Sequence, residues 1–333
     1  MQYLRIGYAM NHSLPGVTRE DVQKLTHMNL AFALIRDGQL DLSQLTNLGL
    51  IDCFREWNPE LKIVLSVGGW AAGGFSTAAM TVEGRRIFAD SCRAAVEQYN
   101  FDGIDIDWEY PCSDAAGIDA DPRDRENFTL LLQAIREAIG CRILSVAMGA
   151  DESCAQNAEM DKVSQIVDYV QLMTYDMLNG LTHQAGHHAA LSPSKGDASK
   201  NNTRAVVEIY HAAGVPNEKI VVGAAFYARH FEVETRLNHG LLQPSGPGLA
   251  GASYWQITPD YLSAHGYEQF WDEDAEAEYL WNGHTFVSYE SPEAIRRKCE
   301  FVKEKGLGGL MYWEHGHDKH RELLEVIWKA LRN

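Results

Sequence analysis

The segment FDGIDIDWEY, Phe101 to Tyr110, alternates Ile104, Ile106 and Trp108 with Asp105, Asp107 and Glu109. Successive side chains of a strand point to opposite faces, so an extended chain here has one apolar face and one face carrying three carboxylates. On a half-exposed sheet that pattern would have an easy explanation. In a strand buried on both faces, each carboxylate has to be paired, neutralised or used in chemistry, because an isolated buried charge is costly. Which case holds depends on the sheet around the segment.

Similar apolar runs recur along the chain: YLRIGYA from Tyr3, MNLAFAL from Met28, LKIVLSV from Leu61, RILSVAM from Arg142, VDYVQLM from Val167, KIVVGAAF from Lys219 and GGLMYW from Gly308. With FDGIDIDW from Phe101 they make eight. Segments such as VEGRRIFADSCRAAVEQYN and RENFTLLLQAIREAI lie between them, with apolar residues every three or four positions, the period of an amphipathic helix. Eight repeats of strand and helix, with near-continuous apolar strands, predict an α/β fold of the (β/α)8 TIM-barrel type rather than an open doubly wound sheet. No GxGxxG follows a strand and no GxxxxGK[ST] is present, which disfavours a nucleotide-binding fold. The rhythm breaks once, after the seventh strand. A structureless loop of that length is improbable, so residues 232–290 are expected to form an α+β insertion subdomain on a barrel of residues 1–231 and 291–333. Barrel active sites form at the C-terminal ends of the strands, where this insertion emerges, so it should wall the site.

Of the 333 residues, 45% are hydrophobic and 23% charged, as in soluble globular proteins. A net charge of −17 disfavours nucleic acid and anionic membranes as partners and suits a neutral small molecule such as a sugar. No run is apolar and long enough to span a bilayer, and MQYLRIGYAM has no signal-peptide core. The chain as it stands is expected to be cytoplasmic, or secreted if a leader has been removed, and monomeric. Six scattered cysteines fit reduced, mostly buried thiols. HQAGHH (His183, His187, His188) and HGHDKH (His315, His317, His320) have metal-like spacings but no completing Cys or acid, and are expected to be solvated loops. No metal or cofactor is predicted.

Within a barrel the acidic face of the Phe101 segment turns inward, and Asp105, Asp107 and Glu109 climb it in steps of roughly 6 to 7 Å. Glu109 reaches the mouth. Like charges this close in low dielectric raise at least one pKa, and a protonated Glu beside an ionised Asp is suited to acid catalysis at a glycosidic oxygen. The alternatives are a structural ladder paired with interior cations and part of a Mg²⁺ shell.

These residues resemble the signatures of the glycoside hydrolase family 18 chitinases. DxxDxDxE is met by Asp102, Asp105, Asp107 and Glu109, QxMxYD by Gln171, Met173, Tyr175 and Asp176, and SxGG by Ser66, Gly68 and Gly69, followed by Trp70. FYAR, Phe226 to Arg229, stands where the family has FYGR, and the eighth strand ends in MYWE with Trp313. Ala228 for Gly and YES at Tyr289 to Ser291 for YDD are departures from the pattern. The insertion is similar to that of the family's deep-cleft branch. The resemblance implies substrate-assisted hydrolysis of β-1,4-linked N-acetylglucosamine oligomers with retention, a mechanism outside the two-carboxylate scheme. It implies that Glu109 is the acid and base and that Asp107 orients the acetamido group. Asp105 shares a proton with Asp107, and Tyr175 holds the acetamido oxygen. Trp313 is then the floor of a pocket lined by Tyr8, Phe32, Met173 and Tyr227, with Trp70, Asp176 and Arg229 also contacting substrate. Asp176 and Arg229 fit a structural ion pair equally well, and Asp102 is expected to support the strand end. Cis peptides are implied at Ala31–Phe32, Glu109–Tyr110 and Trp313–Glu314. The competing functions are an endo-β-N-acetylglucosaminidase or cell-wall glycosidase of the same chemistry, and a chitin-binding lectin, which typically lacks the acid that Glu109 supplies here.

Overall fold

The computed structural model describes residues 3–199 and 201–332. In chain order its strands are β1 (Leu4–Met10), β2 (His27–Arg36), β3 (Gln39–Asp41), β4 (Lys62–Gly68), β5 (Gly103–Asp107), β6 (Ile143–Gly149) and β7 (Tyr169–Met173). They continue with β8 (Ile220–Ala225), β9 (Tyr227–Glu232), β10 (Leu249–Ser253), β11 (Glu268–Asp272), β12 (Ala277–Trp281), β13 (Thr285–Tyr289) and β14 (Gly309–Trp313). The strands β1, β2, β4, β5, β6, β7, β8 and β14 pair in parallel in that order, and β14 pairs with β1 to close the ring. All eight runs expected from the sequence are therefore barrel strands, and β3 is a short hairpin partner of β2.

The alternation of the Phe101 segment sorts its side chains as the barrel requires. Ile104, Ile106 and Trp108 are buried toward the helical layer, where Trp108 stacks on Phe75 at 5.4 Å and meets Phe128 edge-on at 5.7 Å. Asp105 and Asp107, also buried, are left for the barrel interior. The helices obey local signals. Thr81 caps Val82–Gln98 by accepting from the Gly84 amide, 2.9 Å. The helix Pro292–Lys305 has Ser291 at its N-cap and Pro292 in its first turn, and stops at Gly306, whose φ of +63° is left-handed. Among the described residues no helix is long and apolar enough to cross a membrane.

One residue, Phe226, separates β8 from β9, which leaves the barrel to join a five-stranded antiparallel sheet in the order β10-β9-β13-β12-β11. Phe231, Tyr279, Trp281 and Phe286 of this sheet bury a small core with Leu178 and Ala185, which lie on the loop following β7. The sheet therefore stands on the rim at the C-terminal ends of the barrel strands. A buried ion pair anchors its last strand: Lys298 Nζ lies 2.7 Å from a Glu290 oxygen and donates to the Gly223 carbonyl, while the Ala225 amide donates to Glu290. Glu290, the departure within YES, is thus a tie between the second sheet and β8. The other departure, Ala228, is buried against Gly251, where a Cβ would come within 2.7 Å of the Ala228 carbonyl oxygen.

Candidate active site

Asp105 sits at the centre of the barrel with every acceptor position filled. Its Oδ2 accepts from Tyr8 Oη at 2.8 Å and Ser66 Oγ at 2.7 Å; its Oδ1 accepts from Ser145 Oγ at 2.7 Å and Gln171 Nε2 at 2.8 Å. The donors come from β1, β4, β6 and β7, and Asn29 on β2 donates to Gln171 Oε1 at 3.3 Å, which orients that amide. Burial raises the Asp105 pKa, and the four hydrogen bonds pull against it. A carboxylate has about four lone-pair positions, so this arrangement leaves none free for a proton shared with Asp107.

Asp107 is in the opposite condition. Its Oδ1 is buried with no hydrogen-bond partner, and burial, then Glu109, then Asp105 hold its pKa well above the ordinary range. Of the two aspartates, Asp107 is therefore the one whose surroundings favour the protonated form. SxGG makes room for it: a Cβ on Gly68, whose φ is +116°, would fall 2.0 Å from the Asp107 carbonyl oxygen, and the Gly69 amide donates to that same oxygen at 2.9 Å. Glu109 lies just beyond β5, partly exposed. Burial pushes its pKa up to about 7, the charge of Asp176 adds to the rise, and a hydrogen bond with Tyr110 opposes it.

Aromatic side chains surround the carboxylates. Trp313, at the end of β14, stacks on Phe32 at 5.4 Å and tilts against Tyr8 at 5.8 Å; Met173 and Tyr175 pack in the same cluster. Tyr175 meets Tyr227 edge-on at 6.1 Å, and its hydroxyl makes only a 3.8 Å contact with Met311 Sδ among the described residues. Arg229 grips Asp176 with two hydrogen bonds, 2.7 and 2.6 Å. These hydrogen bonds, with that of His188, outweigh burial and set the Asp176 pKa well below the carboxylate range. Trp70 stands apart, 63% exposed on the rim. Asp102 is at the other end of β5, accepting from the Ile63 amide and Arg55, both at 2.8 Å, as expected of a support for the strand end. The peptides Ala31–Phe32, Glu109–Tyr110 and Trp313–Glu314 are cis.

The profile of the glycosyl hydrolases family 18 matches residues 5–318. The chain belongs to that family. Chitinase A1 of Niallia circulans is 34% identical over 305 residues, which cover 83% of this chain and 43% of that protein. Chitotriosidase-1 of Mus musculus is 29% identical over 314 residues, 88% of this chain and 67% of the mouse protein. The chain thus spans less than half the length of the first relative and about two thirds of the second. A family 18 N-acetylglucosaminidase from Paenibacillus barengoltzii is a structural neighbour with TM-score 0.95 and 43% identity, over 99% of this chain and all of the other.

The resemblance assigns the acid to Glu109, and the pH profile tests that assignment. An acid must be protonated to act, so with Glu109 in that role kcat/KM is expected to fall as pH rises through about 7, and the limb should vanish in Glu109→Gln. A profile flat from pH 6 to 9 in the native enzyme would contradict the assignment.

The histidine motifs correct the expectation of solvated loops in part, since His183 and His320 are exposed as expected. His187, His188 and His315 are buried. His187 Nε2 pairs with Asp272 at 3.2 Å, His188 Nδ1 with Asp176 at 3.3 Å, and His315 with Asp21 at 3.3 Å. The His187 and His315 pairs join segments 85 and 294 residues apart, which spacing alone does not reveal. Their spacing suggested a metal, but among the described residues no group of three or more His, Cys, Asp or Glu is placed to hold one. Sequence reasoning also missed Ser145, Asn29 and His188 as part of the site. For Ser145 and Asn29 the signal was present: each is a lone polar residue inside an apolar strand.

Proposed function

We propose that this family 18 hydrolase cleaves β-1,4-linked N-acetylglucosamine chains, chitin oligomers among them, with retention and with the substrate's own acetamido group as nucleophile. The observation that carries the reading is Asp107, its buried Oδ1 without a partner, two residues before Glu109 in an aromatic-lined site, while Asp105 is fully engaged by its four donors. The names of the relatives, chitinases and an N-acetylglucosaminidase, support the same sugar.

In the proposed sequence the sugar before the scissile bond rests on Trp313. Tyr175 donates to its acetamido oxygen, and Asp107 holds the acetamido nitrogen. That oxygen attacks the anomeric carbon, the glycosidic bond breaks, and Glu109 gives its proton to the leaving oxygen. The N–H of the resulting oxazolinium ion donates to the unpartnered Oδ1 of Asp107, which stabilises its positive charge with no proton lost. Glu109, now a carboxylate, takes a proton from water as it opens the ion from the same face, which restores the enzyme and retains the configuration. Arg229 keeps Asp176 anionic at the pocket edge, and exposed Trp70 offers a stacking surface to sugars on the leaving side. Residues 1–231 with 291–333 act as the catalytic body, except that β9 (Tyr227–Glu232) already belongs to the second sheet, which with 232–290 walls the cleft; the enzyme works as a monomer without a cofactor.

The test is a reducing-end assay on chito-oligosaccharides beside N-glycans and peptidoglycan fragments. Rapid cleavage of the chito-oligosaccharides is expected. Binding without cleavage would move the protein to the lectin class, and cleavage of the N-glycans alone to the endo-β-N-acetylglucosaminidases.

A further inference from the structure

The turn that follows β7 carries Tyr175 and Asp176, and its backbone has to be held. Asp176 has a φ of +53°, in the left-handed region, a conformation that a residue other than glycine keeps only where its surroundings fix it. Arg229 on β9 supplies two hydrogen bonds to the carboxylate.

His188 supplies the rest. Its side chain is fully buried, and its Nδ1 lies 3.3 Å from Asp176 Oδ1 and 3.4 Å from the Asp176 amide nitrogen. Its carbonyl accepts from the Met177 amide at 3.1 Å, so the same residue grips the turn at backbone and side chain. Its own amide donates at 2.9 Å to Ser288 Oγ, on β13 of the second sheet. The imidazole tilts against Tyr227 at 5.4 Å, and Tyr227 in turn meets Tyr175 edge-on. His188 is thus the piece through which the second sheet touches the Tyr175–Asp176 turn.

The place of its proton follows from the same contacts. Nε2 is buried with no hydrogen-bond partner. A proton there would bury an unpaired N–H and turn a lone pair of Nδ1 toward a carboxylate. A proton on Nδ1 instead makes a charge-assisted hydrogen bond to Asp176 and leaves only a lone pair unused at Nε2.

We propose that His188 is a positioning residue of the hydrolytic step: protonated at Nδ1, it fixes Asp176 and with it the turn that presents Tyr175 to the acetamido oxygen of the substrate. This rests on the reading of substrate and mechanism given above. The second sheet then does more than wall the cleft, because through Ser288 and His188 it holds the geometry in which the acetamido group attacks.

Two variants of similar chemistry separate positioning from packing. His188→Asn keeps a donor near the place of Nδ1, whereas His188→Gln moves it to about the place of Nε2. Each is compared with the native enzyme for kcat and KM on chito-oligosaccharides, for affinity toward a thiazoline analogue of the oxazolinium ion, and for melting temperature. His188→Asn is expected to keep kcat within about threefold of native. His188→Gln is expected to lower kcat at least about tenfold at near-native KM, and to weaken the thiazoline by a similar factor, because one alignment serves both. Equal kcat in the two variants, or a change confined to KM, overturns the proposal. In the native protein, long-range proton–nitrogen NMR correlation of the imidazole is expected to show His188 protonated at Nδ1. A proton at Nε2 overturns the proposal whether or not the variants fold. If the native enzyme cleaves no chito-oligosaccharide, the substrate reading fails and the proposal with it; cleavage by the native enzyme with equal variants defeats the proposal alone.

Discussion

Glu109→Gln is expected to lower kcat by about 10²- to 10⁴-fold while oligosaccharide affinity stays close to native. The amide keeps the shape and the polar reach of the side chain but has no proton to give to the leaving oxygen and no lone pair basic enough to activate water. Asp107 cannot take over, although burial raises its pKa as well. It lies two residues back along the strand, roughly 6 to 7 Å lower, and is buried, whereas Glu109 is the member of the ladder that emerges beyond β5. Single-turnover kinetics beside calorimetric titration of an oligosaccharide separate the two effects. Turnover within tenfold of native would place the acid elsewhere, and lost binding with it would point to damage of the pocket rather than of the chemistry.

The second large effect comes from the substrate. Fully deacetylated oligomers are expected to be hydrolysed negligibly, because the sugar then lacks the oxygen that attacks the anomeric carbon. Two of the site carboxylates are not free to replace it: Asp105 is engaged by four donors, and Asp176 is held by Arg229 and His188. Proximity of a well-placed internal nucleophile is worth about 7 to 11 kcal/mol in favourable cases, so its loss should be nearly total. A thiazoline analogue of the oxazolinium ion should conversely bind far more tightly than substrate. Comparable rates on acetylated and deacetylated oligomers, or a covalent sugar trapped on an Asp or Glu, would show that the protein supplies the nucleophile.

The legibility of the site in the sequence was uneven, for a physical reason. Strand alternation is a local rule, so the inward set Asp105 and Asp107 and the outward set Ile104, Ile106 and Trp108 could be read from ten residues. Gln171 and Ser66 appeared in motifs, yet their common purpose, filling the lone pairs of Asp105, did not. The resemblance implied a proton shared by Asp105 and Asp107, whereas the four donors to Asp105 leave Asp107 the better holder of it. His187 and His188 were misjudged because loop membership was equated with exposure, whereas the second sheet covers the loop after β7 and buries them.

The sequence by itself determined the eight strands, the order of helices and strands, the helix stops at residues such as Gly306, and the face on which the carboxylates lie. Each follows from a period or a dihedral preference that spans a few residues. The tertiary structure alone decided which groups meet. Tyr8, Ser66, Ser145 and Gln171 reach Asp105 across separations of 97, 39, 40 and 66 residues, and Ser13 reaches Glu314 across 301. Period tells a side chain which way to point, but only closure of the ring, which brings β14 against β1, determines what it will find there.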